Sequence, residues 1–217
     1  MTKTDTQLKQ DVEDELCWDP RLNAAQIGVS VNVGVVSLFG QVDTYAEKWA
    51  AEEATRRVNG VRTVAQDLAV KVLANHTRSD SDIAAATQIA LTSNVYIPNS
   101  VTAKVENGEV TLQGQVTWNF EREAAERAVG HLPGVVAVNN VVTLKPKTSE
   151  AQVQLKVAAA LQRQSAVDSR TIHVELHGST VTLSGHASTW QSIKDAENAA
   201  WAAAGVTQVV DRVKLSQ

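Results

Sequence analysis

The chain has 217 residues, 43% of them apolar, with a formal net charge of −4 and a single cysteine. Cys17 therefore forms no internal disulfide, and a Cys-rich metal site is excluded. Residues 1–75 carry 8 Lys or Arg against 11 Asp or Glu, residues 76–147 carry 6 against 7, and residues 148–217 carry 6 against 6; no part has the basic surface from which nucleic-acid binding draws its affinity.

The chain repeats itself. Val36-x-Leu38-x-Gly40, Val110-x-Leu112-x-Gly114 and Val181-x-Leu183-x-Gly185 are each followed 20 residues later by a second glycine, Gly60, Gly134 and Gly205. One interval in three divergent stretches marks three copies of one unit, and the boundaries expected are 1–74, 77–146 and 148–217. Units of about 70 residues bury little of their own surface, so packing between copies is expected.

Each copy opens with a helix. Thr4, Ser79 and Ser149 are the expected N-caps, and Gln7 and Gln152 stand where a capping box places them. Leu8, Val12 and Leu16 form an apolar stripe, matched by Ile83 and Leu91 and by Val153, Val157 and Leu161. Cys17, at the end of this stripe, reads as a buried small hydrophobe. A loop follows that differs between copies: Asp19-Pro20-Arg21-Leu22-Asn23, Asn94-Val95-Tyr96-Ile97-Pro98, and Val167-Asp168-Ser169-Arg170.

Two alternating strands come next. Ile27, Val29 and Val31 precede Val36 and Leu38, with Val101, Ala103, Val105, Val110 and Leu112 in the second copy and Ile172, Val174, Leu176, Val181 and Leu183 in the third. Asn107-Gly108 predicts a tight hairpin turn. Polar residues between the apolar ones place one sheet face in water.

A second helix is expected from the caps Asp43, Thr117 and Ser188, with Ala51, Ala125, Ala196, Ala54, Ala128 and Ala199 packed on the sheet, ending at Gly60, Gly134 and Gly205. A last strand runs through Val61, Val64, Leu68 and Val70 and their counterparts. In it Gln66, Asn140 and Asp211 interrupt the apolar face, which predicts a local backbone cap or bulge; the alternative is a small-ligand or ion contact, as in a soluble ligand-sensing protein. The fold class is α/β (α+β): three α-β-β-α-β units, each a small three-stranded sheet with two helices on one face.

The series Asp19-Pro20-Arg21-Leu22-Asn23-Ala24, Ile27-x-Val29-x-Val31, Val36-x-Leu38-x-Gly40, Val42, Glu47-Lys48 and Val58-x-Gly60-Val61-x-x-Val64 resembles the BON domain, named for bacterial osmotically inducible and nodulation proteins. The other copies match through the hairpin and both glycines but lack Asp-Pro-Arg-Leu-Asn. The resemblance implies a bacterial module that contacts phospholipid, linked to osmotic or other stress and to transport, with no catalytic residues and no cofactor.

Catalytic and metal constellations are missing from the sequence itself. His173, His177 and His186 lack an acidic or thiol partner at ligand spacing and read as exposed histidines. Glu52 and Glu53 are consecutive on a helix and point about 100° apart. The glycines lack the Lys and Ser or Thr of a phosphate loop.

Tryptophans are the candidate contacts. Trp49 stands where the other copies have Glu123 and Lys194, and Trp201 where they have Arg56 and Gly130, so both columns read as solvent-facing; Trp118 and Trp190 lie near the start of the same helix. Docking of one copy on the next is the preferred reading, and a phospholipid membrane surface or another protein is the alternative. With no basic-then-apolar leader and no apolar run of roughly 20 residues, the expectation is a cytoplasmic chain whose membrane association is peripheral.

Overall fold

The computed structural model describes residues 3–71, 77–145, 159, 171–203 and 205–215. The opening helix of the third copy and its loop, with Ser149, Gln152, Val153, Val157, Leu161 and Val167–Arg170, lie outside the described residues.

The first copy consists of α1 (Asp5–Trp18), β1 (Ile27–Asn32), β2 (Val35–Val42), α2 (Tyr45–Arg57) and β3 (Thr63–Val70). Thr4 and Gln7 close a capping box on α1. The stripe Leu8, Val12 and Leu16 is buried to 2% exposure or less. The same helix turns Cys17 outward, because one residue beyond Leu16 is about 100° further round. The expected burial of Cys17 is thus corrected: the apolar face ends at Leu16.

β1 and β2 pair antiparallel, β2 and β3 parallel, with β2 central. Val29, Val36, Leu38, Val42 and Leu68 join Ala51 and Ala54 of α2 and the α1 stripe in one core, so both helices cover the same sheet face. Phe39 stands on the opposite face, across from Gly28, and its ring fills the space a Gly28 side chain would need.

The second copy contributes α3 (Asp80–Ser93), β4 (Thr102–Glu106), β5 (Glu109–Gln113), β6 (Gln115–Val116), α4 (Asn119–Gly130), β7 (Ala137–Asn140) and β8 (Thr143–Leu144), in sheets β4-β5-β7 and β6-β8. In α3, Thr87 sits buried between Ile83 and Leu91, where the first copy has Val12. The third copy adds β9 (Ile172–His177), β10 (Thr180–Ala187), α5 (Trp190–Trp201) and β11 (Gln208–Leu215), with β10 central, antiparallel to β9 and parallel to β11. Its core joins Ile172, Val181, Leu183, Ile193, Ala196 and Ala199.

Two details of the helices differ from expectation. The N-cap of the second helix is one residue later than Asp43 and Ser188: Thr44 accepts from the Glu47 N–H and Thr189 from the Ser192 N–H, at 3.1 Å each. Asp43 and Thr117 instead donate their backbone N–H to the carboxylates of Glu47 and Glu121, at 3.2 and 2.8 Å. The helices also end before the glycines, at Arg57, Gly130 and Trp201. Gly60, Gly134 and Gly205 have φ of +106°, +91° and +97° and occupy the turn into the last strand.

Gly40, Gly114 and Gly185 have φ of +116°, +130° and +118°. At each, a Cβ would run into a backbone carbonyl: that of Gln26, Ser100 or Thr171. This close approach is why Val-x-Leu-x is followed by glycine in every copy.

By contact the chain forms two compact units, one of Met1–Ala90 with Ala103–Thr111 and Arg127–Asn139, the other of Leu91–Thr102 with Leu112–Glu126 and Asn140–Gln217. The second copy is thus divided between them.

Candidate interaction surfaces

The loop after the first helix takes opposite chemistry in the first two copies. In the first it is a knot of charge. Asp19, 5% exposed, accepts from Arg21 Nε at 2.9 Å, from Arg21 Nη2 at 2.8 Å and from Arg57 Nη2 at 3.0 Å. Arg21 also pairs with Glu53, and Arg57 with Glu15. The Arg21 hydrogen bond, with Arg57 behind it, outweighs burial and holds the Asp19 carboxyl well below the usual carboxylate range.

In the second copy the same loop is apolar and open. Val95 is 90% exposed, Tyr96 63%, and Phe120, in the first turn of α4, 50%. The Tyr96 and Phe120 rings meet edge to face, 6.1 Å between centroids at 84°. Beneath them Ile97 is buried, and Asn94 Oδ1 accepts from the Tyr96 N–H at 3.0 Å, which fixes the loop. Sequence reading passed over this patch; the signal was available as two large apolar residues in a loop where the first copy carries Pro20 and Arg21.

A second surface lies along α2. Tyr45, Lys48, Trp49 and Glu52 recur on one helix face and, with Gln66, Ala137 and Val138, line a cleft of about 260 Å³. Lys48 Nζ donates to the Leu68 carbonyl at 2.8 Å, and Glu52 accepts from Arg56 Nη2 at 2.7 Å, so both charges of the cleft are engaged.

The tryptophans fall in different settings. Trp49 lines the cleft at 43% exposure. Trp190 and Trp201 are half-buried and pack on the core of their own copy. The Arg122 guanidinium lies 5.0 Å from the centre of the Trp201 ring. Trp118 is half-buried and donates its backbone N–H to Glu121 at 2.9 Å. Trp18 is the most exposed of the five, at 82%.

The histidines do not converge. His173 faces Ser184 across the β9–β10 hairpin, diagonal to His186, whereas His177 pairs with Thr180 at the far end. Glu52 and Glu53 likewise turn to different partners, Arg56 and Arg21. Among the described residues no group of three or more His, Cys, Asp or Glu is placed to hold a metal ion. No described helix is long and apolar enough to cross a membrane.

The family model described as the BON domain matches three times, over residues 4–72, 79–146 and 149–217. The chain belongs to the BON domain family. The three matches are the three copies read from the glycine interval, and Gly40, Gly60 and their counterparts are the framework of this BON chain. No curated protein matches it.

Among solved structures, the BON chain is similar to the C-terminal domain of CdsD, a structural protein of the type III secretion system of Chlamydia trachomatis, at 16% identity over 96% of each chain and a TM-score of 0.28. It is also similar to the periplasmic domain of the type III secretion inner-membrane protein PrgH from S. typhimurium, at 13% identity over 94% of this chain and 100% of that one, with a TM-score of 0.23. Likeness at this level carries no argument about role.

Proposed function

We propose that this BON chain is a non-enzymatic binding protein that associates peripherally with phospholipid, and that Val95, Tyr96 and Phe120 are its contact with the bilayer. The exposure of this patch is the observation that carries the reading. Aromatic rings backed by an aliphatic residue suit the membrane–water interface, where ring bodies enter the acyl boundary and a phenolic hydroxyl stays wet. The fold does not require the exposure, since the first copy closes the same loop with Asp19 and Arg21.

The charge of the chain selects the lipid. Glu121 and Glu123 follow Phe120 on α4, with Arg122 between them, and the net charge is −4. Anionic headgroups repel such a surface, whereas zwitterionic ones do not. Inserting two aromatic side chains contributes roughly 1.5–3 kcal/mol each, which gives a modest, reversible association. Trp190 and Trp201, two of the four candidate tryptophans, offer less surface because they lie on their own core. A link to osmotic or other stress belongs to the same proposal and is supported by the family resemblance.

The test is co-sedimentation with zwitterionic and anionic liposomes at low and physiological salt, comparing the native chain with a Tyr96→Ser/Phe120→Ser variant of verified fold. The expected result is binding to zwitterionic vesicles, little changed by salt and lost in the variant. No binding to any vesicle, or binding that the variant retains, overturns the reading and leaves a soluble adaptor acting through protein contacts.

A further inference from the structure

Two contacts repeat one relationship between successive copies. Tyr45, at the start of α2 in the first copy, lies against Gly130, the last residue of α4 in the second; a Cβ on Gly130 would stand 3.2 Å from the Tyr45 ring. Arg122, near the start of α4, lies 5.0 Å from the ring centre of Trp201, the last residue of α5 in the third. Aligned on Gly40, Gly114 and Gly185, Gly130 and Trp201 hold the same position, and Arg122 falls where the first copy has Lys48, one turn after Tyr45. Each second helix thus meets, with its N-terminal half, the C-terminal end of the next copy's second helix.

The cleft beside the first contact follows the same rule, with Lys48, Trp49 and Glu52 from one copy and Ala137 and Val138 from the next. Such an interface joins two unlike surfaces, so it does not use itself up: each copy that docks brings another surface of the first kind. The corresponding surfaces on the first and third copies are solvent-accessible. On α5 the N-terminal half presents exposed Gln191 and Lys194 and half-buried Trp190; one turn beyond Lys194 comes Glu197, whose side chain is 28% exposed and whose carboxylate lies 3.8 Å from Lys194 Nζ. On the first copy, the Arg56 side chain is 44% exposed and Thr63 is exposed.

We propose that a second copy of this chain docks the end of its α2 on the first turns of α5, so that chains associate head to tail through a third use of the internal contact. By position, Arg56 takes the place of Trp201 and meets Trp190 and the Glu197 carboxylate, with Thr63 and Val64 where Ala137 and Val138 stand. Arg56 turns from Glu52 to Glu197, and Glu197 turns from Lys194 to Arg56. Both end faces are more polar than the cleft around Trp49, which sets a weak, concentration-dependent association.

The experiment is sedimentation velocity on the full chain from micromolar to millimolar concentration, with circular dichroism on each variant. The weight-average mass is expected to climb with concentration past twice the 23.3 kDa of one chain. Arg56→Glu and Glu197→Arg each place like charges in the contact and weaken association on the order of tenfold. The two variants mixed, or both substitutions in one chain, restore it. A native chain that stays at the mass of one, or stops at two, overturns the proposal. So do single variants that associate like the native chain, or a folded double variant that fails to recover.

Discussion

Gln66 ties the last strand to Lys48 in the helix above it: Gln66 Nε2 donates to the Lys48 carbonyl at 2.6 Å, and Lys48 Nζ donates to the carbonyl of Leu68, two residues along the strand from Gln66, at 2.8 Å. The second copy repeats the first half of this arrangement. Asn140 Nδ2 donates to the Arg122 carbonyl and to Glu126, at 3.1 Å each, and Asn140 Oδ1 accepts from the Val142 N–H where β7 breaks before β8. In the third copy Asp211 only accepts, from the Val213 N–H at 2.8 Å. A polar residue on an apolar strand face is thus a tie to the helix above it or to its own backbone.

Replacing Gln66 with Leu keeps the volume and removes that tie. The expected cost is about 1 kcal/mol, because the Lys48 carbonyl lies within a helix and loses only a second donor. Urea denaturation with an unchanged slope and a lower midpoint checks it. A stability equal to the native chain's would mean the bond contributes nothing net.

Asp19→Asn removes the charge that gathers Arg21 and Arg57. The expected loss at neutral pH is about 1–2 kcal/mol, limited because the guanidinium side chains are 50% and 43% exposed to screening solvent. The folded pKa is depressed, so the stabilising contribution is complete above the unfolded carboxyl value of about 3.9 and declines as pH falls below it. Denaturation curves of both proteins should therefore keep a constant gap down to about pH 4 and draw together below it, the gap closing only once pH passes below the depressed folded value. A gap that stays constant below that pH as well would rule out Asp19 ionisation as the cause.

At Gly185 an added methyl group meets the Thr171 carbonyl and requires a conformation that side chains avoid. Gly185→Ala is expected to cost on the order of 3 kcal/mol. Gly60→Ala, in a turn with positive φ where a Cβ would meet only side chains, Leu8 the nearest at 3.4 Å, serves as the comparison and should cost less. Thermal unfolding that ranks them the other way would contradict the close-approach argument.

Cys17 should react with an aromatic disulfide reagent in the native chain, within about tenfold of the rate in denaturant, because its helix turns it to solvent. Adjacent Trp18 is 82% exposed and should be the tryptophan most quenched by iodide, as a Trp18→Phe comparison would reveal. Slow modification with a weakly quenched Trp18 would place the end of α1 in an interface.

The architecture was readable because it rests on residues with narrow requirements. Only glycine tolerates the carbonyl at position 40, 114 or 185, so three occurrences at one spacing reveal both the repeat and the hairpin that creates the close approach. Burial was readable where periodicity was complete, as in Leu8, Val12 and Leu16, and less so in α3, where Thr87 replaces the middle aliphatic residue. Cys17 was misread because an apolar stripe has a definite width in angle and one further residue leaves it. The caps lie at Thr44 and Thr189, one residue past Asp43 and Ser188, because those hydroxyls accept from the N–H groups of Glu47 and Ser192, and two adjacent capping residues leave the sequence ambiguous by one position.

The interaction surfaces were harder to read. Comparing columns correctly marked Trp49 as partly exposed, but Trp201 is shielded by its own core and by Arg122. The Val95, Tyr96 and Phe120 patch joins a loop to a helix start 24 residues further on, a pairing that no local periodicity encodes.

The hairpin turns carry one more consequence. Val33 and Asn107 hold positive φ, and the amides of each turn are gripped by a carboxylate from the first helix: Asp5 takes Val33 and Gly34 at 2.8 and 3.3 Å, and Asp80 takes Asn107 and Gly108 at 2.8 and 2.9 Å. In the third copy the hydroxyls of Ser179 and Thr207 meet at 2.6 Å at the entry to the last strand. Opening of the first helix should release the turn amides of the first two copies to hydrogen exchange at the rate of the helix itself. In those two copies helix and hairpin turn therefore unfold together.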